Sequence, residues 1–276
     1  MDTDKNNNLL VNAIDMRNTS DLDNIVFLDC RSSLGNADWG YQQYKHGHIP
    51  DARYASLDRD LSGSPGSNGR HPLPDRQSLA NTFGLWGIDA NTNVIAYDDG
   101  SCAYACRLWW LFRWLGHANV AVLNGGLPEW VKVGGVTTRQ IPTIKEKYFP
   151  VNMPLTRTVG AEEIAKHEYF LLDARAEERF LGRSEPIDRK AGHIPGAICM
   201  PFTNNIAEDG LFKRDFHHLK HIPSSADIVC YCGSGVTATQ NLFALVLAGR
   251  SEPALYPGSW SEWIEDEQRP IATEQY

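Results

Sequence analysis

The sequence predicts an α/β fold built as two tandem copies of one domain, each a parallel sheet flanked by helices. Three observations carry that expectation. Four short motifs recur in the same order in both halves of the chain. Short apolar runs alternate with helical stretches in each half. One apolar run of the second half passes through a glycine-bearing loop directly into a helical segment. Strands separated by helices pair in parallel and bury both faces under those helices.

The duplication is read residue by residue. Phe27-Leu-Asp-Cys-Arg31 matches Leu171-Leu-Asp-Ala-Arg175, and Gly47-His-Ile-Pro-Asp-Ala52 matches Gly192-His-Ile-Pro-Gly-Ala197. Val94-Ile-Ala-Tyr-Asp98 matches Ile228-Val-Cys-Tyr-Cys232, and Asn124-Gly-Gly-Leu-Pro-Glu-Trp130 matches Pro257-Gly-Ser-Trp-Ser-Glu-Trp263. The offsets lie between 133 and 145 residues, far longer than a solenoid period, so a whole domain is duplicated. In the first half the strands fall at 25–28, 94–97 and 120–123, and a helix covers 107–115. Trp109, Trp110 and Trp114 sit on it at helical spacing and are expected in the core. Residues near 138–158 hold three prolines and little periodicity, and read as a linker. The domains are therefore expected at 1–137 and 159–276. In the second half a strand ends near Tyr231, and the helix at 239–248 is stopped by Gly249.

Composition bounds the function. The chain has 276 residues, 42% hydrophobic and 22% charged, an ordinary globular balance, with net charge −8. That charge argues against nucleic acid or an anionic membrane as partner. The opening residues 1–8 lack a secretory signal, and the longest apolar runs are too short to span a bilayer. A soluble cytoplasmic enzyme is expected. Six cysteines in a chain of this length are no disulfide scaffold, and Cys230-x-Cys232 is a poor half-site for a tetrahedral metal. No metal site is expected. His217, His218 and His221 read as a solvated face.

Cys232 is the most informative residue. It stands where the strand gives way to Gly233-Ser-Gly-Val-Thr237 and then a helix. Such a loop points several N–H groups at one spot and favours negative charge there. A thiol at that spot is expected outside the core and held as thiolate, the nucleophilic form. Cys230 is expected to face the core. The first-half counterpart of Cys232 is Asp98, so only the second domain carries a thiol at this corner. Cys102 and Cys106, beyond Asp98, read as packing residues.

The motifs together resemble rhodanese domains, and the chain is similar to tandem-domain sulfurtransferases over roughly residues 20–270. The carriers are Gly-His-Ile-Pro at 47–50 and 192–195, the Asp-x-Arg strand ends, Gly-Ser-Trp at 258–260 and the cysteine loop. The loop resembles the mercaptopyruvate version; the thiosulfate version has basic residues after the cysteine, where this chain has Gly233 and Ser234. The resemblance implies that the Cys232 thiolate takes sulfur from a small-molecule donor, forms a persulfide cradled by the amides of Gly233, Ser234, Gly235, Val236 and Thr237, and passes the sulfur to a thiol, cyanide or thioredoxin-like acceptor. It implies no cofactor. It assigns Ser234, His71 and Asp58 to proton transfer, and Arg179 and Arg189 to the donor's anionic end. The alternative for either arginine is an ion pair with Glu178, Glu185 or Asp188. His48 and His193 read as local turn-fixing residues, and Trp260 and Trp263 as packing by default. A phosphatase of similar architecture needs an arginine six positions after the cysteine, where this chain has Ala238. A sulfur-relay protein would use the same Cys232.

Overall fold

Among the described residues ten short strands form two all-parallel sheets of five. The computed structural model describes residues 9–19 and 24–274; the opening segment 1–8 lies outside them. The chain divides into two units. One comprises Met1–Ser62, Pro74–Leu155 and Ala207–Phe212; the other comprises Gly63–Leu73, Thr156–Ile206 and Lys213–Tyr276. Gly63–Leu73, which the sequence order puts with the first half, thus belongs to the second unit.

In the first unit the strands are β1 (Leu10–Asn12), β2 (Ile25–Asp29), β3 (Arg53–Tyr54), β4 (Asn93–Tyr97) and β5 (Val120–Asn124), in the order β1-β5-β4-β2-β3. In the second they are β6 (Arg157–Thr158), β7 (Phe170–Asp173), β8 (Ile198–Cys199), β9 (Ile228–Tyr231) and β10 (Ala254–Leu255), in the order β6-β10-β9-β7-β8. The two orders are the same topology written twice, as the duplicated motifs require. The central strands are continuous apolar runs because both faces are covered. The flanking helices that matter for the sites are α4 (Ala103–Trp114) and α5 (Gly126–Lys132) in the first unit, and α7 (Glu177–Phe180), α8 (Ala238–Leu247) and α9 (Ser259–Trp263) in the second; α1 (Ala13–Asn18), α2 (Trp39–His46), α3 (Arg76–Leu85) and α6 (Ala161–Lys166) complete the set.

Trp109 and Trp110 are fully buried, but Trp114 is only half-buried. The last turn of α4 rises to the rim, where Trp114 stacks on Trp110 and carries the Arg76 guanidinium over its ring. No helix or strand forms between α5 and β6.

The repeated motifs are one repeated bonding scheme. Arg31 grips the buried Asp29 carboxylate at 2.6 Å and donates to the Gly47 carbonyl at 2.7 Å. Arg175 does the same to Asp173 at 2.6 Å and to Gly192 at 2.7 Å. Tyr97 and Tyr231 accept the amide of Ile49 and of Ile194 on their hydroxyls, both at 3.2 Å. His48 and His193 bond the carbonyls of Tyr44 and Phe180, at 2.8 and 2.7 Å, and fix the turn locally as expected. The Asp-x-Arg strand end therefore anchors the Gly-His-Ile-Pro turn to the sheet. Burial works against the Arg175 charge, but Asp173 outweighs it and leaves the guanidinium harder to deprotonate than usual.

Removing one member of a buried ion pair strands the other charge. Asp173→Ala is expected to lower the unfolding free energy of the second unit by about 3–5 kcal/mol, read as a shift in urea midpoint at unchanged m-value. A change within error of zero would mean that Arg175 is held by other groups.

Candidate active site

Cys232 follows β9 directly, at the carboxyl edge of the sheet, and α8 starts at Ala238 with Thr237 as its N-cap. The intervening loop is shaped by glycine. Gly235 has φ of 74°, and a Cβ there would stand 2.2 Å from the Pro257 carbonyl oxygen, so only glycine lets the loop press onto that strand end. The helix start takes up few loop amides. Among the described residues no protein acceptor takes the N–H of Gly233, Ser234, Val236 or Thr237. These donors stand in front of a helix N-terminus, an arrangement suited to an anion.

The sequence places Cys232 outside the core; the structure buries it to 2% exposure. The α9 corner covers it, with Trp260 donating to the Cys232 carbonyl at 3.0 Å and Ser259 accepting the Cys232 amide at 3.1 Å. Cys230 points into the core as expected, and burial, with Cys232 nearby, pushes its thiol well up. Cys102 and Cys106 are buried in the first unit and likewise pushed up by burial.

His71 and Ser234 are brought together. The His71 Nδ1 lies 2.7 Å from the Ser234 hydroxyl, 163 residues away in sequence, and both are buried. The segment Gly63–Leu73 makes this possible by joining the second unit. Its chain is closed on itself by paired Gly66 and Gly69 backbone bonds and by Gly63 donating to Pro72. Asp58 belongs to the first unit, exposed in the turn after β3.

Two guanidiniums meet the loop at its first residue. A Cβ on Gly233 would stand 2.9 Å from Arg70 Nη2 and 3.3 Å from Arg179 Nη2. Arg179, on α7, donates Nε to Glu185 at 3.0 Å and Nη2 to Asp188 at 2.9 Å; Arg70 pairs with Asp188 through Nη1. Arg179 thus takes two of the ion-pair partners open to it in the sequence and still reaches the loop. Burial alone would raise the Glu185 carboxyl, but Arg179 and the amides of Asp188 and Ile187 hold it below its usual range. Asp188 ends above its usual range, because burial outweighs Arg70 and Glu185 adds repulsion. Arg189 is 52% exposed on its side chain, 3.4 Å from Glu265, and donates to the Ile264 carbonyl at 2.6 Å. Arg70 was not singled out by sequence; its sole signal was adjacency to His71.

Trp260 and Trp263 are packed, both buried, and Arg175 lies over the Trp260 ring. His217 and His221 are exposed, and His218 bonds Asn205 at 2.9 Å; among the described residues no group of His, Cys, Asp and Glu could hold a metal.

The corresponding corner of the first unit is filled. Asp98 is buried, and its carboxylate accepts the amides of Gly100 and Cys102 at 3.0 and 2.9 Å, and those of Tyr104 and Ala105 at 3.0 and 3.3 Å. The amide ring there is closed by the chain's own carboxylate. Even so, burial and the neighbouring Asp99 push the Asp98 carboxyl up to about 6.

The chain thus holds two α/β domains of one topology, with Cys232 at the loop corner of one and Asp98 at the corresponding corner of the other. Both domains match the rhodanese-like domain, over residues 12–133 and 157–266, and the chain belongs to that family. It is 44% identical over 262 residues to a probable 3-mercaptopyruvate sulfurtransferase of Pseudomonas aeruginosa, covering 90% of this chain and 92% of that one. It is 38% identical to a putative thiosulfate sulfurtransferase of Mycobacterium tuberculosis, covering 90% and 91%. Its fold matches the 3-mercaptopyruvate sulfurtransferase of Leishmania major with a TM-score of 0.85 at 30% identity, over 96% of this chain and 76% of that one.

The Asp98 shift has a sign. A carboxyl raised in the fold disfavours ionisation there, so the group's contribution is most favourable below its unfolded value near 4 and declines as pH rises through about 6. The decline is of order 3 kcal/mol. Asp98→Asn, which cannot ionise, is expected to gain stability relative to the unaltered protein between pH 4.5 and 7, read from urea midpoints. A difference that stays flat with pH would contradict a buried, titrating Asp98.

Proposed function

We propose that this chain is a sulfurtransferase that moves sulfur from 3-mercaptopyruvate to a thiol, cyanide or thioredoxin-like acceptor through a persulfide on Cys232. The observation that carries the reading is the buried Cys232 at the head of a loop in which the amides of Gly233, Ser234, Val236 and Thr237 have no protein acceptor, beside the His71–Ser234 hydrogen bond of 2.7 Å. In the first step the Cys232 thiolate attacks the donor sulfur. The donor's C–S bond breaks, its electron pair passes to the enolate of pyruvate, and that carbon takes a proton. The thiol proton of the donor is routed through Ser234 to His71, with Asp58 proposed as the group that completes the relay. The outer sulfur of the persulfide is left anionic and rests on the amides of Gly233, Ser234, Gly235, Val236 and Thr237. An acceptor thiolate, or cyanide, then attacks that sulfur and releases the Cys232 thiolate.

Arg179 and Arg70 stand nearest the loop and are proposed to hold the donor carboxylate. Arg189 is proposed as a further contact, made when its guanidinium leaves the Ile264 carbonyl. The two arginines near Gly233 are matched by Glu185 and Asp188, so their cluster carries no net charge. That balance favours a singly charged carboxylate over a divalent anion. Thiosulfate is the second reading, favoured by the relative so named. The protein is proposed to work in the cytoplasm, where its six free thiols would stay reduced.

Steady-state kinetics with each donor and cyanide tests the reading. A higher kcat/KM for mercaptopyruvate is expected, and a wide margin for thiosulfate would overturn the specificity argument. Arg179→Ala and Arg70→Ala are each expected to raise KM for mercaptopyruvate about tenfold with a smaller change in kcat, as for lost uniform binding by a charge-assisted contact. Arg189→Ala is expected to do less. Unchanged KM in all three would return these arginines to structural ion pairing.

A further inference from the structure

We infer that Ser259 is a positioning residue for the nucleophile: its hydroxyl holds the Cys232 amide and so sets where the thiol stands against the loop. This rests on the reading of Cys232 given above.

Ser259 opens α9 with φ of 54°, one of three non-glycine residues at positive φ among the described residues. A side chain rarely tolerates that conformation unless the surroundings impose it. Ser259 is fully buried. Its hydroxyl donates to the Tyr256 carbonyl at 2.8 Å and accepts the Cys232 N–H at 3.1 Å. The single hydroxyl proton is committed to Tyr256, so the lone pair faces Cys232. The nucleophile's own amide is thereby drawn away from the loop, and the charge on sulfur is left to the amides after it.

The chain contains its own control. Ser259 corresponds to Gly126, and the two share a left-handed φ, 54° and 57°. The helix-start bond is common to both copies: Trp260 donates to the Cys232 carbonyl at 3.0 Å, and Leu127 to the Asp98 carbonyl at 2.9 Å. The bonds that differ are those to the loop. Ser261 donates its amide to the Gly233 carbonyl at 2.9 Å and accepts the Arg70 amide on its hydroxyl at 3.1 Å. Its counterpart is Pro128, which has neither an N–H nor a hydroxyl. Where the corner holds a carboxylate that makes four amide bonds of its own, glycine and proline suffice. Where it holds Cys232, the corner carries two serines, one of them in a left-handed backbone conformation. The Asp98 corner has its own left-handed non-glycine residue at Cys102, on the other side of the loop; the observation the inference turns on is that the left-handed helix-start position is glycine beside Asp98 and a serine bonded to the Cys232 amide beside the nucleophile. Ser261 extends the clamp to the segment that bears His71.

The test uses Ser259→Gly and Ser259→Ala in the full chain. Glycine copies Gly126, which the other domain already accommodates, and removes both hydroxyl and strain; alanine removes the hydroxyl and keeps the strain. Single-turnover release of pyruvate from mercaptopyruvate is measured against donor concentration, alongside thermal unfolding. Both variants are expected to lose roughly tenfold or more in the maximum rate, as for a displaced reacting group, with half-saturating donor concentration within about twofold of the unaltered protein. Ser259→Gly is expected to melt no lower than the unaltered protein, and Ser259→Ala lower. A Ser259→Gly protein that releases pyruvate at the unaltered rate would overturn the inference, as would a rate loss that tracks lowered stability. Cys232→Ser separates the two levels: release that persists in it removes the reading of Cys232 itself, whereas a dead Cys232→Ser beside a fully active Ser259→Gly removes only the role of Ser259.

Discussion

An anion buried at a strand end survives only if enough fixed donors replace the water it has lost, and the Asp98 corner of this chain meets that constraint with four amides. In the loop before α8 the amides of Gly233, Ser234, Val236 and Thr237 have no protein acceptor, because glycine turns the chain and the helix begins late. The loop before α4 provides amides too, but a carboxylate of the same loop takes them. The thiol site thus depends on amides kept vacant within a packed interior, and keeping them vacant requires the surrounding residues to be held by something else.

The two domains show how that is done. In the first, Asp98 makes four amide bonds and is nevertheless pushed up to about 6, since Asp99 adds like charge to the effect of burial. In the second, guanidiniums of Arg70 and Arg179 stand beside Gly233 instead. One corner is acidic and self-filled; the other is bordered by cations, each already balanced by Glu185 or Asp188. The same backbone carries a corner filled by Asp98 in one copy and a corner headed by Cys232 in the other through a handful of side chains. The Asp-x-Arg and Gly-His-Ile-Pro motifs, retained in both copies, are explained by the sheet-to-turn anchor that each copy needs regardless of chemistry.

Much of this was legible in the sequence. The central strands announce themselves as continuous apolar runs, and the duplicated motifs fix the shared topology. The edge strands β3, β6 and β8, and β10 between β6 and β9, have two residues each, too few for any periodicity to reveal. The cysteine loop could be read because glycine spacing and the following helix are local features. Its burial could not, because the cover comes from α9 and from a segment of distant sequence. Arg70 was invisible for the same reason: its amide bonds Ser261 across 191 residues. His71 and Ser234 were paired by family resemblance, not by spacing, and the geometry brings them within hydrogen-bond reach. Arg179 was legible as an arginine among acids, but its two simultaneous partners were not. The rim position of Trp114 was missed because helical spacing gives the face of a helix and not the depth of its last turn.

The central claim is that one buried thiol, Cys232, carries the transferred sulfur. The most direct measurement is the mass of the intact protein after incubation with mercaptopyruvate alone and removal of the donor, followed by peptide mapping. The account predicts a gain of one sulfur atom, lost on adding cyanide and located on Cys232. A folded protein that gains no sulfur, or gains it on another cysteine, would contradict it.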